Sequence, residues 1–174
     1  HDGHPLTAHD VAFTWEAIMD DEVPTKTLRT GRDQLKSVTA LDDLTVRFVH
    51  KEALPTSKWN MLYSILPKHI IGDKDNANRK EDHSLKKSPY YLKYAQAPVG
   101  CGPYKFVKWE RNRKIVVERW DEYHGRKPHF KRQIFKIVKD PHQALNLFKK
   151  GELDEIEITP LQFATQTNDA NFAK

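Results

Sequence analysis

Residues 98–120 read Pro98-Val99-Gly100-Cys101-Gly102-Pro103-Tyr104-Lys105-Phe106-Val107-Lys108-Trp109-Glu110-Arg111-Asn112-Arg113-Lys114-Ile115-Val116-Val117-Glu118-Arg119-Trp120. Two runs rich in β-branched and aromatic residues, Tyr104 to Trp109 and Lys114 to Trp120, flank the polar turn Arg111-Asn112-Arg113, which is the pattern of a β-hairpin. Gly100 and Gly102 come just before it, where the chain needs backbone freedom. Alternation puts Tyr104, Phe106 and Lys108 on one face and Lys105, Val107 and Trp109 on the other. Both faces mix rings with cations, so neither is a clean platform for stacking single-stranded nucleic acid.

Further along, Gln133 to Lys139 carries a third strand signal through Ile134, Ile137 and Val138. Asp140-Pro141 opens a helix, with Asp as N-cap and Pro in the first turn. That helix runs to Lys150 and stops at Gly151, a natural residue for the position after a C-cap. Leu153 to Ile158 alternates like a strand. Thr159-Pro160 then repeats the cap-and-proline start for a last helix.

Before the hairpin, residues 34–50 predict a second one. Its strands are Leu35 to Ala40 and Leu44 to His50, joined by Leu41-Asp42-Asp43, with Leu44, Val46 and Phe48 sharing a face. Residues 7–21 predict a helix capped by Thr7, with Asp10 three residues on. Val11, Trp15 and Ile18 stand at helical spacing and are its expected core stripe. Residues 54–66 predict a short helix or irregular segment anchored by Trp59, Leu62 and Tyr63 and broken at Leu66-Pro67-Lys68-His69. Asp73 to Lys87 is nearly all polar and reads as a surface loop, with Tyr90, Tyr91 and Tyr94 following to pin it. The sum is a mixed α/β chain of β-hairpins and short helices, with no repeat of fixed period.

Composition narrows the function. The chain has 174 residues, one cysteine and a formal net charge of +5, with 38% hydrophobic and 30% charged residues. That is too apolar for a disordered chain. The basic excess is mild and spread along the sequence, unlike the concentrated charge of a dedicated nucleic-acid binder. One cysteine allows neither an internal disulfide nor a Cys-based zinc site. No apolar run reaches the roughly 18 residues of a membrane span, and no stretch reads as a signal peptide.

Catalytic patterns are missing. His1, His4 and His9 lie near Asp2 and Asp10, but spacing alone does not supply convergent metal geometry. The sequence has no nucleophile elbow, phosphate loop or zinc-protease helix motif. Cys101 precedes a strand with no histidine near it in sequence, so it is expected to be a small buried cysteine rather than an activated thiol. Glu152, Asp154, Glu155 and Glu157 read as a solvated edge. The expectation is a protein that is not an enzyme and holds no metal or cofactor.

Two segments carry a resemblance. Pro98 to Tyr104 is similar to the P-V-G-T-G-P-Y segment of the family 5 extracellular solute-binding proteins, the oligopeptide, dipeptide and nickel receptors of ABC importers. Asp2-Gly3-His4-Pro5-Leu6-Thr7-Ala8-His9-Asp10-Val11 resembles their D-G-x-P-[LV]-T-A-x-D-V signature. Leu66 to Ile70 looks like the family's P-K-H turn. Asp121 to Pro128 is similar to N-x-x-Y-W-G-x-K-P, and Gly151 to Asp154 looks like G-E-[IL]-D. All five occur in the family's order. Cys101 stands where Thr or Ser is usual, and His124 where Trp is usual. By this resemblance Asp2, Gly3, Thr7, Asp10, Gly100, Gly102, Pro103 and Tyr104 are motif residues with structural roles.

The resemblance implies a fragment of a two-lobe fold of the periplasmic-binding-protein type II kind. Residues 1–97 would be part of the smaller subdomain of lobe I, and residues 98–174 the start of its larger subdomain. The signal peptide and second lobe would lie outside the fragment. The implied function is capture of a solute, a small peptide, between two lobes and delivery to the membrane subunits of an ABC permease. The implied address is periplasmic or cell-envelope, and nucleic acid is not an expected partner. The alternative on the same scaffold is a metal chelate, haem or saccharide ligand. Outside the class, the alternatives are a thiol enzyme using Cys101 or a basic nucleic-acid module. Thr27, Arg29 and Tyr63 look similar to regions that face ligand in some relatives, Arg29 to pair with a carboxylate and Tyr63 to offer a ring face and hydroxyl. The plainer reading makes Arg29 a solvated cation and Tyr63 a core anchor.

Overall fold

A computed structural model describes residues 1–21, 23, 25–72 and 89–168. The expectations for 73–87 and for the Tyr90 and Tyr91 side chains fall outside what is described. The chain divides into two compact units, one of residues 1–108 and 117–133, the other of 109–116 and 134–174.

The first unit opens with α1 (Ala8–Met19), where the cap reads as expected. Thr7 N–H donates to Asp10 Oδ2 at 2.8 Å, so the carboxylate folds back on the helix start. Its inward face differs from the expected stripe. Ala8, Asp10, Thr14, Ala17 and Ile18 are buried, while Val11 and Trp15 are only partly covered. Two polar groups occupy the core face because each has a distant backbone partner, described below.

Next come α2 (Lys26–Arg29), a 3₁₀ turn at Arg32–Gln34, and the hairpin β1 (Leu35–Ala40) with β2 (Val46–His50). The strands pair antiparallel, with Val38 opposite Phe48 and Ala40 opposite Val46. A register break between Leu35 and Ser37 shifts the alternation, so Leu35 and Val38, three apart, both turn inward. Leu44 is 92% exposed and lies before β2, so it does not share a strand face with Val46 and Phe48 as expected from the sequence. Helix α1 packs on β1, and Ala8 N–H donates to Asp43 O at 2.8 Å, tying the hairpin turn to the helix start.

Three further helices belong to this unit: α3 (Ser57–Asn60), α4 (Lys68–Ile71) and α5 (Pro89–Gln96). Ala17, Val23 and Ile71 form a buried cluster, with Phe13, Leu66, Ile70 and Tyr94 packed against it. Tyr94 also donates its hydroxyl to Val99 O at 3.1 Å. Trp59 and Leu62 are 59% and 55% exposed and are not the anchors expected of them; α3 is a single turn that turns Asn60 inward in place of Trp59, and Leu62 lies beyond its end.

A three-stranded sheet, order β3-β4-β5, is built from β3 (Tyr104–Glu110), β4 (Lys114–Arg119) and β5 (Arg132–Lys136). Asn112 takes φ 56° in the β3–β4 turn, a left-handed position that asparagine tolerates. In the second unit α6 (Pro141–Lys149) begins at Asp140, which accepts His142 N–H at 2.8 Å. It ends at Gly151 with φ +74°. Gly151 N–H donates to Phe148 O and Glu152 N–H to Leu147 O, both at 2.9 Å, the paired bonds of a Schellman cap. Val116 and Leu145 are its buried apolar residues among those described. Residues 153–158 are not a strand, contrary to their alternation. Leu153, Ile156 and Ile158 are partly covered, but no described strand pairs with the segment. Helix α7 (Pro160–Gln166) starts as expected from Thr159, whose hydroxyl accepts Gln162 N–H at 3.2 Å.

Candidate functional site

In the first unit a cavity of about 660 Å³ opens between the end of α1, α2 and the segment after α3. Ile18, Leu28, Met61, Leu62, Tyr63 and Leu66 supply much of its wall. Leu28 and Leu62 are more than half exposed, so the wall presents apolar surface to whatever enters. The polar groups are few: Thr14, Thr25, Ser64, the Tyr63 phenol and Arg32. An apolar cleft with a handful of fixed polar groups is the usual make-up of a small-ligand site.

The segment carrying Tyr63 to Leu66 is registered against α1 by three hydrogen bonds. Tyr63 donates its hydroxyl to Val11 O at 3.2 Å. Leu66 N–H donates to Thr14 Oγ1 at 2.8 Å, and the same hydroxyl donates to Asp10 O at 2.7 Å. Lys68 N–H donates to Asp10 Oδ1 at 2.8 Å. Burial pushes the Tyr63 phenol up to about 12, so at neutral pH it is a hydrogen-bond donor and not an anion. These partners lie more than fifty residues apart in sequence, which is why α1 showed no sign of them.

The three residues proposed from sequence to face ligand separate here. Tyr63 lines the cavity. Thr27 is exposed on α2, one residue before the lining Leu28. Arg29 is turned inward: its Nε donates to Ile18 O at 2.9 Å, Nη2 to Asp20 O and to Val23 O, and Nη1 pairs with Asp21 at 2.6 Å. The fork closes the carbonyl end of α1, where a cation is favoured. Sequence reasoning passed over Arg32, which does line the cavity. Arg32 donates through Nη1 to Thr30 O at 3.1 Å and through Nη2 to Leu62 O, and its Nε is buried without a partner. The signal available was its place just after Gly31, whose φ of +82° turns the chain there.

The motif residues form a second lattice. Asp2 accepts His4 N–H at 3.1 Å and His69 Nε2 at 2.8 Å. The rings of His4 and His69 stack at 3.8 Å. The His69 bond, ahead of that from His4, holds the Asp2 carboxyl below the usual range. The His1 ring bridges the glycine segment, accepting Gly100 N–H at Nδ1 (3.2 Å) and meeting Gly102 O from Nε2 (2.8 Å). Pro103 O accepts Trp120 N–H at 2.9 Å, and Tyr104 donates its hydroxyl to Phe130 O at 3.0 Å. Gly3 takes φ +87°. Cys101 is exposed, which corrects the expectation of a packed thiol: a Cβ at the adjoining Gly102 meets nothing within 4 Å, so no crossing encloses it. His9 sits 3.4 Å from Asp43, apart from His1 and His4. Among the described residues no three metal-ligating side chains converge.

The sequence matches the middle segment of the bacterial extracellular solute-binding proteins, family 5, along residues 1–174. It is 29% identical to the oligopeptide-binding protein AppA of Bacillus subtilis, over 95% of this chain and 29% of that protein. The fold is similar to that of NikZ from Campylobacter jejuni in complex with Ni(L-His), with TM-score 0.77 and 26% identity over 98% of this chain and 32% of that one. It is also similar to the structure of Bacillus subtilis AppA in complex with a nonapeptide, with TM-score 0.73 and 26% identity over 97% of this chain and 32% of that one. The chain thus spans about a third of the length of these relatives.

Proposed function

This chain belongs to the bacterial extracellular solute-binding proteins, family 5, and from that premise we propose that it forms one wall of a solute site in a longer receptor. The receptor captures a short peptide and hands it to the membrane subunits of an ABC permease. Its work is binding, with no bond made or broken, at the outer face of the cell membrane, in the periplasm or cell envelope.

The observation that carries this reading is the match along the whole chain, together with likeness to a receptor solved with a nonapeptide. The cavity beside Tyr63 suits such a ligand in size and chemistry. In this reading Tyr63 offers its ring face to the ligand while its hydroxyl is held by Val11. Thr27 stands at the rim on α2. Arg29 serves from behind, fixing α2 against the end of α1. Extended peptides held by backbone bonds and apolar contact are bound with little sequence discrimination.

Calorimetric titration of the full-length receptor with tri- to pentapeptides tests this. Saturable binding at one site, weakened by Tyr63→Ala, is expected. Absence of heat with every peptide, alongside tight binding of a nickel–histidine complex, overturns the peptide reading in favour of a chelate receptor, the ligand of the similar NikZ.

A further inference from the structure

We propose that Thr14 is a positioning residue for the ligand: its hydroxyl holds the Tyr63–Leu66 wall of the cavity in its binding shape, and ligand affinity depends on that hold. The inference rests on reading the cavity as the solute site.

The wall has no ladder of its own. Residues 62–67 belong to no helix or strand, yet Leu62, Tyr63, Ser64 and Leu66 all line the cavity. A segment without regular pairing takes its shape from the few bonds that tie it down. Tyr63 is tied at its side chain, whose hydroxyl donates to Val11 O at 3.2 Å. Lys68, just past the wall, is tied through its N–H to Asp10 Oδ1. Between these two anchors the main chain of the wall meets α1 at Leu66 N–H, which donates to Thr14 Oγ1 at 2.8 Å.

Thr14 is suited to that place. It is 1% exposed, so bulk water hardly reaches its hydroxyl, and it stands in the cavity lining together with Leu66. A hydroxyl has one proton to give and lone pairs to accept with. The proton goes to Asp10 O at 2.7 Å, one turn back along α1, and this orients the oxygen and leaves a lone pair for Leu66 N–H. Each bond fixes the other. Valine has nearly the same shape with neither bond, and would strand the part-buried Leu66 N–H. Serine keeps both bonds and loses only a methyl group.

The hold bears on ligand because a wall free to move must be ordered when the ligand docks, and that ordering subtracts from affinity. It bears less on folding. Leu66 still packs against the cluster of Ala17, Val23 and Ile71, and the anchors at Tyr63 and Lys68 survive the loss of the Thr14 hydroxyl. Removing the hydroxyl therefore slackens the span between those anchors and leaves the unit folded.

The test uses the full-length receptor with tri-leucine as the probe. Thr14→Val is expected to bind it on the order of 10-fold more weakly than the parent, and to speed amide exchange at Leu66 on the order of 10-fold. Thr14→Ser is expected to restore both. Val38→Ala truncates a buried residue of β1 outside the cavity lining and is the destabilised control. It should lower the denaturation midpoint and leave tri-leucine affinity at the parent level. Parent-like affinity in Thr14→Val overturns the proposal. So does an equal loss of affinity in Val38→Ala, which traces the effect to general destabilisation. A loss that Thr14→Ser does not restore assigns the effect to the methyl group and overturns it too. If neither tri-leucine nor any other short peptide binds the parent, the peptide reading falls by itself. Fast Leu66 exchange in Thr14→Val, restored by serine, then still supports the hold on the wall, and parent-like exchange overturns it.

Discussion

The Asp10 carboxylate accepts Lys68 N–H at 2.8 Å across 58 residues of sequence, while its other oxygen accepts Thr7 N–H at 2.8 Å. One side chain thus caps the first turns of α1 and α4 together. Asp10 is 5% exposed, and both N–H groups are helix-start donors with no intrahelical acceptor. The residue joins the opening motif to the P-K-H turn, and so holds the cavity segment in place.

Replacing Asp10 by Ala strands two shielded donors. The full-length protein is expected to lose about 2–4 kcal/mol, by the cost of leaving buried partners unmade. Asn keeps one acceptor and should lose about half as much. Denaturant titration of both variants checks the order; equal losses would show that the second oxygen contributes nothing.

Arg29 gives a contrast within one side chain. Asp21 is 93% exposed, so its ion pair with Arg29 is screened and worth little. The bonds to the α1 carbonyls lie in partly buried surroundings. Asp21→Asn should therefore change stability by less than about 0.5 kcal/mol, and Arg29→Lys, which cannot fork across these acceptors, should cost about 1–2 kcal/mol. The reverse ranking in thermal or denaturant unfolding contradicts this assignment.

Much of this local chemistry was readable from sequence, because its partners lie within a turn or two. The Thr7 cap with Asp10, the helix starts at Asp140 and Thr159 and the stop at Gly151 all rest on short-range contacts, and each forms as its residue types require. What could not be read depends on distant backbone. Nothing in the sequence singles out Thr14, yet it is 1% exposed and its hydroxyl accepts Leu66 N–H. Alternation at 153–158 reads as a strand, but alternation cannot supply the neighbour a strand must pair with. Arg29 and Arg32 are indistinguishable as residue types, and only the structure separates the clamp on the end of α1 from the residue that lines the cavity.

The Asp2–His69 contact carries a pH dependence whose sign follows from Asp2. Its carboxyl titrates below its ordinary value of 3.8, chiefly through the His69 bond. A lowered folded-state value means the contribution is fully present above about pH 4 and is lost as pH falls through the lowered value. Parent and Asp2→Asn should differ in stability at neutral pH, and the gap should close in strong acid. A gap that stays constant down to low pH shows that the carboxylate charge is not what stabilises the contact.

Among the described tyrosines, Tyr63 should be the last phenol to ionise. Burial raises it to about 12, and Tyr94 moves the same way. In an alkaline ultraviolet titration of the full-length protein, Tyr63→Phe is expected to remove the latest step and leave the earlier ones in place. A saturating peptide that covers the ring should push that step later still, by further desolvation. Loss of an early step instead places Tyr63 in open solvent.

The central claim is that this chain is part of a peptide receptor, and native mass spectrometry of the full-length protein purified from its own producing cells tests it most directly. The account predicts a family of added masses matching short peptides. A single added mass fitting a metal chelate, haem or sugar, displaced by none of those peptides, contradicts it.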